Sequence, residues 1–212
     1  TYTYDSVGRM TQVLNPQGQP TTFSYSDGGR RTLKRIANGT RTSFTYDAAG
    51  NLTKLYNMKN DGTVLSSFEY TYDKTGNRTR VVEGDGSRVT WTYDNTYQLT
   101  GEHRTGTTPY RDTYTYDAAG NRLLKNHDGA RTTYSYDAAN QLTYSQDVSG
   151  RTTFTFDADG NQQVQREPSG NRTTYVWDYE NRMTGVRLPD ATRSTMSYEP
   201  EGLRVKLEES TG

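Results

Sequence analysis

The sequence predicts an all-β repeat array of about ten β-hairpins, forming one curved, twisted antiparallel sheet over residues 1–212. Three observations carry this reading. An aromatic–acidic anchor recurs at Tyr4-Asp5, Tyr25, Tyr46-Asp47, Tyr72-Asp73, Tyr93-Asp94, Tyr116-Asp117, Tyr136-Asp137, Phe156-Asp157, Trp177-Asp178 and Tyr198-Glu199. Its spacings are 21, 21, 26, 21, 23, 20, 20, 21 and 21 residues, a fixed period that marks an array of repeats. Aromatic and small polar residues alternate ahead of each anchor, and a Gly or Asn falls at a fixed offset behind it.

The incoming strand comes first in each repeat. Phe23/Tyr25, Phe44/Tyr46, Tyr70/Tyr72, Trp91/Tyr93, Tyr114/Tyr116, Tyr134/Tyr136, Phe154/Phe156 and Tyr175/Trp177 each flank one residue, usually Thr or Ser. This is period two, giving a strand with an aromatic face and a Thr/Ser/Arg face. The anchor acid then stops the strand, because a carboxylate at the first position of a type I turn accepts hydrogen bonds from backbone N–H groups ahead of it. Three residues later stands Gly8, Gly29, Gly50, Gly76, Gly120, Gly160 or Gly202, or Asn140 or Asn181. These types tolerate the positive φ that closes a type I turn plus bulge. Tyr97 is the exception. The structural turn residues read from this pattern are Tyr4, Asp5, Gly8, Tyr46, Asp47, Gly50, Tyr72, Asp73, Gly76, Tyr93, Asp94, Tyr116, Asp117, Gly120, Tyr136, Asp137, Asn140, Asp157, Gly160, Trp177 and Asp178.

An outgoing strand follows, as in Asn51-Leu52-Thr53, and ends at a second turn: Asn38-Gly39, Asp61-Gly62, Asp85-Gly86, Asp128-Gly129, Ser149-Gly150 or Ser169-Gly170. The longer spacing from Tyr46 to Tyr72 places an insertion around residues 57–61. Asn95-Thr96-Tyr97 and the polar stretch 101–109 mark a local bend or loop. The chain starts and stops inside the pattern, which reads as a segment of a longer array.

Composition narrows the classes. Apolar residues make up 30% of the chain and the mean hydropathy is −1.05, too low for a thick core. Yet 18 Tyr, 5 Phe and 2 Trp at strand spacing are unlike a disordered polar chain. A thin sheet whose aromatics pack on neighbouring hairpins satisfies both. With 25 acidic and 25 basic residues, no whole-chain field recruits nucleic acid or anionic lipid. Arg30, Arg31, Lys34 and Arg35 read as a solvated strand face. No apolar run is long enough to insert into a bilayer, and there is no Cys, hence no disulfide framework or thiol chemistry.

Catalytic and metal motifs do not assemble. The aspartates are spread one per repeat, whereas carboxylate catalysis needs a close pair in a sheltered pocket. Asp157-Ala158-Asp159-Gly160-Asn161 opens like a calcium loop, but Gln162 replaces its turn Gly and Pro168 its final Glu. His103 and His127 are isolated in sequence. No cofactor is implied, and the chain reads as non-enzymatic. Asn38, Asn51, Asn77 and Asn171 sit in glycosylation-type triplets that the turn wording itself spells. Exposed aromatics, Trp91 and Trp177 first, are the positions where sugar rings would stack.

Tyr46-Asp47-Ala48-Ala49-Gly50-Asn51-Leu52-Thr53 and Tyr116-Asp117-Ala118-Ala119-Gly120-Asn121-Arg122-Leu123 closely resemble the tyrosine-aspartate (YD, or RHS) repeats of bacterial RHS polymorphic toxins, insecticidal toxin complexes, wall-associated proteins and teneurins. The resemblance covers nearly the whole chain. It implies a YD-shell-like strip, a hairpin ribbon that spirals into a hollow shell and in the toxins encloses a C-terminal toxic domain. The implied partners are the rest of the parent shell and its encapsulated cargo, with glycans as a further class. The implied localisation is secreted or cell-surface in a bacterium. Glu199-Pro200-Glu201-Gly202-Leu203 imitates the self-cleaving Asp-Pro-x-Gly-Leu end of the family's core but begins with Glu and falls in register as an ordinary turn, so autoproteolysis is not expected. About twenty strands at ~4.8 Å each would span on the order of 95 Å with strong twist. Such a strip would be too short to close alone and open to edge-to-edge self-association.

Overall fold

The computed structural model describes residues 1–210. It is all-β, with twenty strands, and no helix among the described residues is long and apolar enough to cross a membrane. The chain divides into two compact units, Thr1–Arg111 and Asp112–Gly212.

In the first unit the strands are β1 (Tyr2–Tyr4), β2 (Met10–Leu14), β3 (Pro20–Tyr25), β4 (Arg31–Ile36), β5 (Arg41–Tyr46), β6 (Leu52–Met58), β7 (Val64–Tyr72), β8 (Arg78–Glu83), β9 (Arg88–Tyr93) and β10 (Leu99–Thr105). Each pairs antiparallel with the next in sequence, which makes a meander. The same order runs through β11 (Tyr110–Tyr116), β12 (Arg122–His127), β13 (Ala130–Tyr136), β14 (Leu142–Asp147), β15 (Gly150–Phe156), β16 (Gln162–Arg166), β17 (Arg172–Trp177), β18 (Met183–Arg187), β19 (Arg193–Tyr198) and β20 (Arg204–Ser210). Here too every strand from β11 onward is joined to its successor.

Both edges of the meander use nearly the same turn. At the Tyr-Asp edge the Asp47 amide donates to the Asn51 carbonyl (3.0 Å) and the Gly50 amide to the Asp47 carbonyl (3.1 Å). At the opposite edge Ile36 and Gly39 repeat this with Thr40 and Ile36 (2.9 Å each). The register shifts at every Tyr-Asp edge, as between Thr45 and Tyr46, which is the bulge that the positive φ residue closes. Two connections are shorter: Asp128-Gly129 (φ 49° and 94°) joins the facing pair His127 and Ala130, and Val148-Ser149 joins Asp147 and Gly150. Two turns have no sequence signal of the kind used above: Gly18 (φ 76°) closes one and Ala191 (φ 69°) the other.

The irregular stretch after Tyr93 proves regular in backbone. Tyr97 adopts φ 65°, its amide donates to Asp94 (3.1 Å) and the Asp94 amide donates to Gln98 (3.0 Å), so an aromatic residue occupies the slot of the usual Gly. Residues 101–105 belong to β10; only the segment from Gly106 to Pro109 is turn. The insertion near residues 57–61 is absorbed by lengthening β7 to nine residues, with a register shift at Asn57/Met58.

The core is thin. Val81 and Val89, opposite each other across β8 and β9, are the buried apolar side chains among the described residues, at 6% and 5% exposure. In the incoming strands the paired aromatics are mostly half-buried and the Thr between them exposed, as in Phe44-Thr45-Tyr46, while Tyr2, Tyr4, Tyr97 and Tyr179 are exposed. Ring-on-ring stacking is a small part of how these aromatics pack. Phe68 and Tyr70 stack (6.4 Å), and several ring faces are covered by guanidinium groups: Arg31 over Phe23 (4.7 Å), Arg78 over Tyr70 (4.3 Å), Arg122 over Tyr134 (4.7 Å) and Arg151 over Tyr144 (4.0 Å). Arginine suits this position because its long stem covers apolar surface while its planar cation sits on the ring.

Candidate functional site

The repeated Tyr-Asp turn is the site the sequence writes most often, and its side chains work in two directions. Within a hairpin, the Asp carboxylate binds the chain leaving the turn. One oxygen of Asp117 accepts the amides of Ala119 (2.9 Å) and Asn121 (2.8 Å), and the other accepts Asn121 Nδ2 (3.0 Å). Asp47 holds Asn51 the same way (2.8 and 3.0 Å). At Asp5 and Asp178 an arginine replaces Asn, with Arg9 Nε at 2.7 Å and Arg182 Nε at 2.8 Å. Hydrogen bonds to the ionised form lower a carboxyl pKa. The Thr75 hydroxyl, then the Asn77 side-chain amide, hold Asp73 at about 2. The Asn51 and Asn121 side chains likewise lower Asp47 and Asp117.

Between hairpins, the anchor ring supplies the tie. The Tyr25 hydroxyl donates to the Met10 carbonyl (2.7 Å), Tyr46 to Arg31 (2.9 Å), Tyr72 to Leu52 (2.7 Å), Tyr93 to Arg78 (2.9 Å), Tyr136 to Arg122 (3.1 Å) and Tyr198 to Met183 (2.7 Å). Each acceptor is the first residue of the outgoing strand one hairpin back. Trp177 does the same with its indole N–H, to Gln162 (2.8 Å). Neighbouring turns also touch: Arg9 Nη1 reaches the Ser26 carbonyl (3.1 Å), Asn121 Nδ2 reaches Asn140 (2.8 Å) and Asn161 Nδ2 reaches Asn181 (2.7 Å). The preference for a hydroxyl-bearing ring was legible as a repeated letter, but its acceptor was not, because a carbonyl carries no sequence signature.

The calcium-like loop is a repeat turn. Asp157 accepts the amides of Asp159 (3.0 Å) and Asn161 (2.8 Å) and Asn161 Nδ2 (3.1 Å), and among the described residues no three acidic or His side chains converge to hold a metal. Glu199 begins an ordinary turn, with its amide donating to Leu203 (3.0 Å). Trp91 and Tyr97 line one open concavity of about 570 Å³ beside Asp73, Lys74 and Thr75, and Tyr97 is 60% exposed.

Two clusters lay outside the sequence reading because only strand register brings them together. His127 stands directly opposite Asp112, with Nδ1 at 2.6 Å from its carboxylate; the Tyr114 hydroxyl (3.1 Å) and Lys125 Nζ (3.5 Å) meet the other oxygen. Burial pushes the pKa of Asp112 up, but these partners outweigh it and hold it lowered. In the first unit Arg104 grips Glu83 with both terminal nitrogens (2.7 and 2.6 Å). Beside that ion pair buried Ser87 receives the Thr107 amide (3.0 Å) and donates to Asp85 (2.9 Å). The pair and its hydrogen bonds lock two neighbouring Gly-edge turns.

The teneurin YD-shell family matches residues 1–103, and the RHS repeat family matches residues 156–193. Over these two stretches the chain is built of RHS/YD repeats. Among curated relatives, the tRNA nuclease WapA of Bacillus subtilis (strain 168) is 30% identical over 130 residues, 61% of this chain and 5% of the relative. A second WapA nuclease, from Bacillus spizizenii, is 30% identical over 127 residues, 59% of this chain and again 5% of the relative. Among solved structures, TcdB2-TccC3 superposes with a TM-score of 0.72 at 16% identity, over 100% of this chain and 14% of that one. The Photorhabdus luminescens Tc holotoxin pore superposes at 0.56 and 17% identity, over 99% of this chain and 14% of that one. The chain therefore has the fold of those toxin components and spans only a small part of their length.

Within RHS/YD wording this chain departs at particular points. Ser26 replaces the turn Asp, and its hydroxyl accepts the Arg30 amide at 3.2 Å. Tyr97 replaces Gly in the left-handed slot. Phe156 is an anchor ring with no hydroxyl, so the tie made by Tyr25, Tyr46, Tyr72, Tyr93, Tyr136, Trp177 and Tyr198 cannot form in that repeat.

Proposed function

We propose that this chain is a length of wall in an RHS/YD shell, non-catalytic, that contains a cargo in a secreted or surface-delivered protein by steric exclusion. The observation that carries this reading is the anchor tie. Hydroxyl-to-carbonyl bonds one hairpin back turn a row of marginal hairpins into a continuous sheet without requiring a thick core. The matches to the YD-shell and RHS repeat families and the fold shared with toxin components support the same reading. The test is protease protection in a longer RHS/YD protein that carries this segment. A segment enclosed by the wall should resist a protease in the intact protein and become cleavable when Tyr46, Tyr72 and Tyr93 are together replaced by Phe. Equal digestion in both would sink the proposal.

A second reading, a carbohydrate-stacking surface, rests on Tyr97. A bulky residue at φ 65° is strained, and here the strain presents an exposed ring beside Trp91. Tyr97→Gly should raise stability by about 1 kcal/mol and abolish saccharide-dependent quenching of Trp91. Absence of any quenching by wild-type protein across a glycan panel would remove this reading.

A further inference from the structure

Four arginines stand on one face of four consecutive strands in the second unit. Arg166 on β16 lies directly opposite Arg172 on β17. Thr174, two residues beyond Arg172, lies opposite Arg187 on β18, and Arg187 lies opposite Arg193 on β19. Residues paired across a ladder share a face, as do residues two apart on a strand. The four side chains therefore project together, on the face opposite Tyr175, and all four are exposed.

None of the four makes an ion pair or a side-chain hydrogen bond among the described residues. The acids close by are engaged elsewhere: Glu167 accepts Asn171 Nδ2 (3.2 Å), Asp190 accepts the Thr192 amide (2.9 Å) and Glu180 pairs with Arg182 (2.7 Å). Like charges directly opposite in a sheet are destabilising, and a chain with 25 acidic and 25 basic residues has no compositional need to place them so. In the first unit Arg35 faces Arg41 as a single pair; here two pairs lie side by side. Arg172 and Arg187, with Thr174 and Asn171, also border a concavity of about 550 Å³.

We propose that this row is a binding site for phosphoryl anions of the pyrophosphate class, each bound group bridging one opposed arginine pair. Guanidinium presents a planar fork that meets phosphoryl oxygens two at a time. Opposed side chains rooted about 5 Å apart need a ligand group that neutralises both. A terminal phosphoryl group carries close to two charges, whereas a carboxylate carries one. Free pyrophosphate and the terminal phosphoryl groups of a phosphorylated small molecule share this chemistry, whereas the internal phosphodiesters of a nucleic acid carry one charge each and do not.

The test is calorimetric titration of the chain with pyrophosphate, orthophosphate and single-stranded oligothymidylate at one low ionic strength, repeated on the double variant Arg172→Gln/Arg187→Gln. Neither residue takes part in the Tyr-Asp turn hydrogen bonds. The expected result is saturable pyrophosphate binding that weakens by at least ~10-fold in the variant, while the ligand-free variant melts at the same temperature or higher because repulsion is relieved. Orthophosphate binding at the same site, more weakly, would support a free anion as the source. Oligothymidylate binding tighter than pyrophosphate would overturn the bridging dianion. So would the absence of saturable pyrophosphate binding, equal binding by the variant, or a variant that melts below wild type.

Discussion

At the scale of single residues, the anchor ring and the turn acid divide the labour. Removing only the hydroxyl of a tie isolates its contribution: Tyr72→Phe deletes the 2.7 Å bond to Leu52 and should cost about 1 kcal/mol, read as a drop in Tm. The reverse experiment is available in the natural chain. Phe156→Tyr places a hydroxyl where the register offers Leu142, the first residue of β14, and should raise stability by a similar ~1 kcal/mol; an unchanged Tm would show that the tie at this repeat is not limiting. The turn acids set the acid limb of stability. Their pKa values are lowered on folding, Asp73 to about 2 and Asp5, Asp47, Asp94 and Asp117 in the same direction. A lowered carboxyl stabilises the fold above its unfolded pKa, and that contribution is lost as pH falls through the folded value. The Tm should accordingly be level near neutrality and decline between about pH 4 and pH 2, and Asp73→Asn should flatten that decline.

At the scale of the hairpin, the positive φ residue decides whether the turn closes. Gly120 sits at φ 89°, so Gly120→Val should cost on the order of 1–3 kcal/mol, whereas Gly120→Asn should be nearly silent because Asn140 and Asn181 fill the same slot at 61° and 59°. This part of the fold was legible in the sequence because it is local: period-two aromatics and an acid followed by Gly at fixed offset each write their own conformation. Tyr97 and Ala191 were not legible, since neither residue type favours the left-handed region; the flanking strands impose it. The turn at Asn15-Pro16-Gln17-Gly18 carried a usable signal in its Pro and Gly. What the sequence hid altogether was register. Asp112 meeting His127, Glu83 meeting Arg104, and arginines covering rings all depend on which residues face each other across strands, and a one-residue slip would exchange every partner.

At the scale of the molecule, two buried valines cannot account for stability, and the load is carried by surface that each hairpin shares with its neighbours. The wall reading makes a hydrodynamic prediction: small-angle scattering should return a radius of gyration well above the ~17 Å of a compact chain of this length. A value near 17 Å would mean that the hairpins fold over one another and would remove the wall proposal. Growth of the particle with concentration would register pairing through exposed strand edges, for which β20, exposed along its whole length, is the obvious participant.

The ties run only one hairpin back, and that fixes how such a sheet yields under load. Pulled from one end, hairpins should peel away singly, most easily at the Phe156 repeat that lacks a tie and least easily where Arg104 grips Glu83. Stretched in a force spectrometer, such a sheet should therefore give a ladder of small unequal steps in place of one large rupture.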